Sequence, residues 1–187
     1  VTENLDKFEL GLAVSKLYDF IWDIFCDWYI EIAKSRLSME KTYADVARGV
    51  LLYVFTGVLK LLHPFMPFIT EEIWQSLPHS GEAIMVSDWP VYTEELSFKA
   101  EEEEFEKVME VIRAIRNRRS EMNVPPSRKA KVYIVTNFED SFKSGIPYVC
   151  KLASASEVTV SKTEAEGLED AIRVVTDSAT VYMPMNE

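Results

Sequence analysis

Two adjacent prolines, Pro125 and Pro126, constrain this chain more than any other feature. Neither can donate a backbone hydrogen bond, and each pushes the residue before it out of helical geometry. Val124-Pro125-Pro126-Ser127 therefore ends any helix that reaches it and holds the connection extended. The apolar period differs on its two sides. Before the prolines, apolar residues recur at spacings of three and four, the pattern of amphipathic helices; after them, short β-rich runs are separated by turn residues. The expectation is a mainly α chain, with a helical bundle over residues 1–123 followed by a small α+β subdomain over 128–187.

Four helices are expected in the first part. One spans about Leu5 to Leu37, with Leu10, Val14, Leu17, Ile21, Phe25, Trp28 and Ile32 on its core face and Asn4 as N-cap. After a short link from Ser38, Thr42 caps a second helix against Asp45, with Tyr43, Ala47, Val50, Val54, Val58 and Leu61 inward and an end near His63, before Pro64. A third carries Ile73, Trp74 and Leu77 up to Pro78. Ala83 to Trp89 reads as a short extended piece. Ser97 then caps a fourth helix with Phe105, Val108, Ile112 and Ile115 on its buried stripe, acids at its start and arginines at its end, which suits the helix dipole. Past the prolines, Val132 to Val135 and Val158 to Val160 read as strands flanking a helix over Phe138 to Ala155 that is interrupted near Gly145 and Pro147. Ala171 to Val175 and Thr180 to Met183 read as a hairpin turning at Asp177-Ser178.

Enzyme chemistry has little to draw on. The six glycines never cluster into a phosphate-cradling loop, and His63 and His79 are the only histidines for a nucleophile-base pair. His63 at a helix end reads as a cap, His79 as a solvated loop residue. Glu71 and Glu72 lie in a first helical turn where acids suit the dipole, without neighbouring metal ligands. Cys26 and Cys150 are too few and too distant for a CxxC motif. With no signal peptide and no apolar run long enough for a membrane span, a cytoplasmic setting is expected.

Charge is more informative by place than by sum. The formal net charge is −11, but Arg113 to Lys131 holds seven basic residues and one acid, Glu121. Arg113, Arg116, Arg119, Arg128 and Lys129 are thus candidates for contact with a nucleic-acid backbone. The stretch Phe25-Cys26-Asp27-Trp28-Tyr29-Ile30-Glu31 with Lys34 is richer than a core helix requires. Phe25 and Trp28 belong to the core stripe, whereas Trp22, Cys26, Asp27, Tyr29, Ile30 and Lys34 project elsewhere and suit unpaired bases, which are read by stacking and by carboxylates that accept from amino groups.

That same stretch, followed by Leu61-Leu62-His63-Pro64-Phe65-Met66-Pro67-Phe68-Ile69-Thr70-Glu71-Glu72-Ile73-Trp74, resembles the anticodon-binding region of the valyl-tRNA synthetases. Ile112-Arg113-Ala114-Ile115-Arg116 leading to the two prolines is similar to that family as well. The resemblance implies a class I synthetase anticodon-binding bundle, with the anticodon stem-loop of valine tRNA and the remaining synthetase domains as partners, and neither DNA nor a membrane. It also implies a fragment: the catalytic domain that uses ATP and Mg, the editing domain, the bundle's first helix and the C-terminal coiled-coil arm lie outside it. On this reading the fragment has no catalytic residues and no cofactor of its own. The competing readings are a helical protein-interaction domain and the equivalent domain of an isoleucyl, leucyl or methionyl enzyme.

Overall fold

The structure, a computed structural model, describes residues 1–38, 40–164, 167–168 and 170–184. Met39, within the expected first link, and Glu187, where the chain stops, lie outside the described residues. The chain divides into two compact units, Val1–Glu94 and Glu95–Glu187.

The first unit is helical: α1 (Thr2–Asp6), α2 (Leu10–Asp19), a π-helical run (Phe20–Ile30), α3 (Glu31–Leu37), α4 (Lys41–Leu62) and α5 (Pro67–Gln75). The expected helix from Leu5 is broken because Phe8 adopts φ 58, a left-handed conformation that stops α1. Asn4 is not a cap. It is buried within α1, its Nδ2 donating to Glu9 Oε2 at 2.7 Å and its Oδ1 accepting from Lys16 Nζ at 2.8 Å. From Leu10 to Leu37 the helix is continuous, but its middle eleven residues follow the wider i→i+5 pattern.

That run moves the core face. Leu17, Phe25 and Trp28 are buried as expected, but Leu10 and Val14 are 53% and 42% exposed, Ile21 and Ile32 are half-buried, and Ala13 and Ala33 are buried instead. A count based on 3.6 residues per turn loses its phase across a π segment, because each turn consumes an extra residue.

The second helix also differs in detail. It starts at Lys41 behind Glu40, so Thr42 lies in its first turn and caps nothing. Its buried residues are Ala44, Ala47, Val58 and Leu59, whereas Tyr43 and Val50 are exposed and Val54 and Leu61 half-buried. α3 packs along α4. The helix ends at Leu62 as expected, and Pro67 takes the first position of α5. Leu59, Trp74 and Ile84 form a core cluster with Phe55, Ile73 and Leu77. Ile84 belongs to a 3-10 turn, Ile84–Val86, not to a strand; its N–H donates to Glu71 Oε2 at 3.0 Å.

The second unit contains α6 (Lys99–Glu121), β1 (Ala130–Val135), α7 (Glu139–Leu152), β2 (Ala155–Ser161), β3 (Ile172–Val175) and β4 (Thr180–Met183). β1 pairs parallel with β2 and antiparallel with β4, which pairs antiparallel with β3, giving the order β2-β1-β4-β3. Val132 lies opposite Val158, Tyr133 opposite Tyr182, and Val174 opposite Val181. The hairpin falls where the sequence places it. α6 starts behind Phe98 without a side-chain cap, so Ser97 does not cap it; Val108, Ile112 and Ile115 are buried as the period requires, with Val111 beside them, while Phe105 is half-buried.

α7 runs without interruption through Gly145 and Pro147. Gly145 is where α6 and α7 meet: a Cβ there would lie 2.8 Å from Val108 Cγ1. The expected division at the prolines puts α6 with the helices that precede it. In the structure α6 packs on α7 and β3, so the unit boundary falls at Glu94/Glu95 and the prolines form a connection inside the second unit.

Candidate nucleic-acid interface

The π run and α3 carry the first group of candidate residues. Asp27 and Lys34 are exposed; Cys26, Tyr29 and Ile30 are half-buried. Lys34 Nζ bonds Glu31 Oε1 one turn back, which holds its charge along the α3 surface. Tyr29 stacks on Phe25 with centroids 5.9 Å apart, and Phe25 in turn stacks on Phe55 of α4 at 6.1 Å. Burial raises the Tyr29 hydroxyl above its ordinary pKa, the Arg36 charge opposing this in part. Tyr29 is thus an extension of the core stack rather than a free stacking platform. Of these five candidates, the accessible parts are a carboxylate, a paired ammonium and the edges of Cys26 and Ile30, while Trp22 on the same helix is 53% exposed.

The basic cluster resolves into two kinds of residue. Arg113, Arg116, Arg128 and Lys129 are exposed, but Arg119 is only 8% exposed. Its Nη2 donates to Pro125 O at 3.2 Å and to Arg128 O, so it fastens the end of α6 to the proline connection. Arg116 Nε donates to Leu152 O at 2.6 Å, tying α6 to the last turn of α7. Arg118 pairs with Glu121 at 3.0 Å. The placement of Arg119 corrects its reading as a surface contact, and the carbonyls it and Arg116 bind explain part of the density of the cluster.

The remaining candidates have structural partners. His63 Nδ1 lies 2.8 Å from Thr70 Oγ1, which itself donates to Met66 O at 2.8 Å, so the histidine joins α4 to α5. His79 stacks on Trp74 with centroids 3.9 Å apart. Glu71 accepts from Gln75 and from Ile84 N–H. No group of three or more potential metal ligands occurs among the described residues. No described helix is long and apolar enough to cross a membrane.

One surface was not legible in the sequence. Phe20, Gly49, Tyr53, Gly57, Lys60 and Trp89 line a cleft of about 670 Å³ in the first unit. Lys60 Nζ donates to Asp88 O at 2.9 Å and Trp89 Nε1 to Thr2 Oγ1 at 3.0 Å, which fixes the Asp88–Trp89 segment. The available signal was the four-residue spacing of Gly49, Tyr53 and Gly57, which puts two side-chain-free positions on either side of an aromatic.

A helical unit that presents a mixed polar surface on one long helix, joined to a unit with basic residues at a helix end, has the make-up of a recognition module. The comparison with known families gives that class its content. The family described as the anticodon-binding domain of tRNA ligase matches residues 1–134, and the chain belongs to this family. Its relatives include the valine–tRNA ligase of Clostridium tetani, 49% identical over 187 positions that cover 99% of this chain and 21% of that protein. The valine–tRNA ligases of Clostridium acetobutylicum, at 48% identity, and Carboxydothermus hydrogenoformans, at 42%, align with 99% and 100% of the chain. In each case the chain spans about a fifth of the relative's length, 21%.

Proposed function

We propose that this chain reads the anticodon stem-loop of valine tRNA within a valine–tRNA ligase. The observation that carries the proposal is the family match over residues 1–134, joined to identity of 42–49% with valine–tRNA ligases along nearly the whole chain. Asp27 and the exposed edges of Cys26 and Ile30 meet the anticodon bases, with Lys34 beside them for a phosphate. Arg113, Arg128 and Lys129 follow the backbone. ATP, Mg and valine chemistry belong to the remainder of the ligase, and the setting is the cytoplasm. Binding here contributes position: fixing one end of the tRNA determines where its distant acceptor end arrives, and small misplacements at reacting atoms are costly.

The structure favours a second role for one part of the basic cluster. Arg116 and Arg119 spend donors on backbone carbonyls of Leu152, Pro125 and Arg128, so their first role is to hold the second unit together.

The test is binding of an anticodon hairpin to the 187-residue chain. If three or four cations meet phosphates, log affinity falls against log salt with a slope of roughly −2 to −3. The Asp27→Lys variant loses preference between the valine hairpin and one with an altered anticodon. In the full ligase, Arg113→Glu with Lys129→Glu raises the apparent constant for tRNA and leaves valine-dependent ATP chemistry unchanged. Equal binding of unrelated hairpins, with a flat salt response, overturns the reading.

A further inference from the structure

Arg119 poses a problem that its two carbonyl partners do not solve. Its guanidinium has five N–H donors, and only Nη2 is used. A buried cation is normally matched by an acid, yet no carboxylate lies within ion-pair distance of it among the described residues. The dipole at the end of α6 and the two carbonyls moderate the charge without cancelling it. Burial pushes its pKa below the usual arginine value, as expected of a desolvated cation without a counter-ion.

Beside it lies a cavity of about 260 Å³, lined by Arg119 and Arg128 and walled by apolar side chains that include Met122, Val124, Ile172 and Met183. Among the described residues, the only fully enclosed side-chain nitrogen or oxygen without a partner is Trp74 Nε1. The unused donors of Arg119 are therefore not sealed within protein, and Arg119 is one of the residues that line this cavity.

We propose that this cavity is a binding site for a single phosphate group, held by the unused guanidinium donors of Arg119, with the carbon attached to the ester oxygen resting on the apolar wall. With Nη2 committed to the two carbonyls, the donors left are Nε–H and those of Nη1, each of which can give a phosphate oxygen a single charge-assisted hydrogen bond. The cavity is smaller than the usual range for drug-sized ligands, roughly 300 Å³ and above, so it takes in a phosphate and the adjacent sugar, and the rest of a larger ligand lies outside it. Two sources carry that chemistry: a phosphodiester of the bound RNA, which rests on the function proposed above, and a free phosphate monoester, which does not.

The Nε–H resonance of Arg119 in the ¹⁵N-labelled chain reads the site directly. Sodium phosphate, titrated to roughly 20 mM at constant ionic strength, produces a saturable shift with a dissociation constant in the millimolar range. Met122→Trp fills the cavity from its wall while leaving Arg119 in the chain; it abolishes the phosphate-dependent shift. Arg119→Met, which removes the cation, is followed by backbone signals lining the cavity and loses saturable phosphate binding. A linear drift shared with sodium acetate, or an unchanged titration in Met122→Trp, overturns the proposal. If the anticodon hairpin displaces phosphate, the RNA backbone is the source. If a nucleoside 5′-monophosphate saturates the site and the hairpin does not displace it, the site stands for free esters, and RNA contact at this cluster is refuted separately.

Discussion

Replacing Gly145 by alanine tests whether the α6–α7 contact governs the second unit. The added Cβ falls 2.8 Å from Val108 Cγ1 and 2.9 Å from Cγ2, distances that something must relieve. Val108 is 1% exposed and β-branched within a helix, so its rotamer has little freedom to move away. Overpacking of this kind costs about 1–3 kcal/mol, whereas glycine-to-alanine in a helix interior returns up to about 1 kcal/mol. The net expectation is destabilisation by about 1–2 kcal/mol. For a unit of this size that lowers the melting temperature by roughly 4–16 °C, read by chemical and thermal denaturation. Val108→Ala removes both clashing methyls, so the double variant is more stable than the sum of the two single losses predicts, with a coupling of about 1 kcal/mol or more. If Gly145→Ala stabilises the unit, or if the two losses add, the helices are not held by this contact.

Three other outcomes are expected. Thr70→Val keeps the shape but leaves His63 Nδ1 and Met66 O without their shared hydroxyl; it costs about 1–3 kcal/mol in urea denaturation. Tyr29 has a raised pKa in the folded state, so its contribution to stability is complete below the ordinary value of 10.0 and is lost as pH rises from there through the folded value. Tyr29→Phe should therefore flatten the alkaline loss of stability and remove one late-titrating tyrosine from the ultraviolet absorbance titration. Arg116→Met, which frees Leu152 O, lowers the stability of the second unit by about 1–2 kcal/mol, while Lys129→Met at an exposed position is close to neutral; hydrogen exchange at the end of α7 separates them.

What could be read in advance followed from how regular the local geometry is. α6 is a plain helix, and its spacing put Val108, Ile112 and Ile115 in the core correctly. The β3–β4 hairpin was visible because β-branched runs flank a polar turn. The long first helix was legible as a helix but not as a set of faces, since its period changes inside the run Phe20–Ile30. Gly145 and Pro147 read as breaks because both disfavour helices, yet α7 continues through them: packing against α6 outweighs local preference. The helix proposed to face the anticodon stands out in the sequence because its residue types are unusual together. Arg119 was misplaced because a cation in a basic cluster reads as exposed, and only its contacts reveal that it closes a connection. The cleft at Tyr53 and Trp89 depends on residues distant in sequence, which no period can bring together.

The π run also bears on how this segment tolerates changes in length. In a regular α-helix, losing one residue rotates everything beyond it by about 100°, which would carry Ala33 off the core. Within Phe20–Ile30 the backbone already holds spare length, so a single deletion can be taken up by tightening i→i+5 turns into i→i+4 turns. The segment that carries the bases' proposed contacts is thus also where the helix can be shortened while α3 keeps its register on α4. Length polymorphism in such a helix has a place to occur without unmaking the unit.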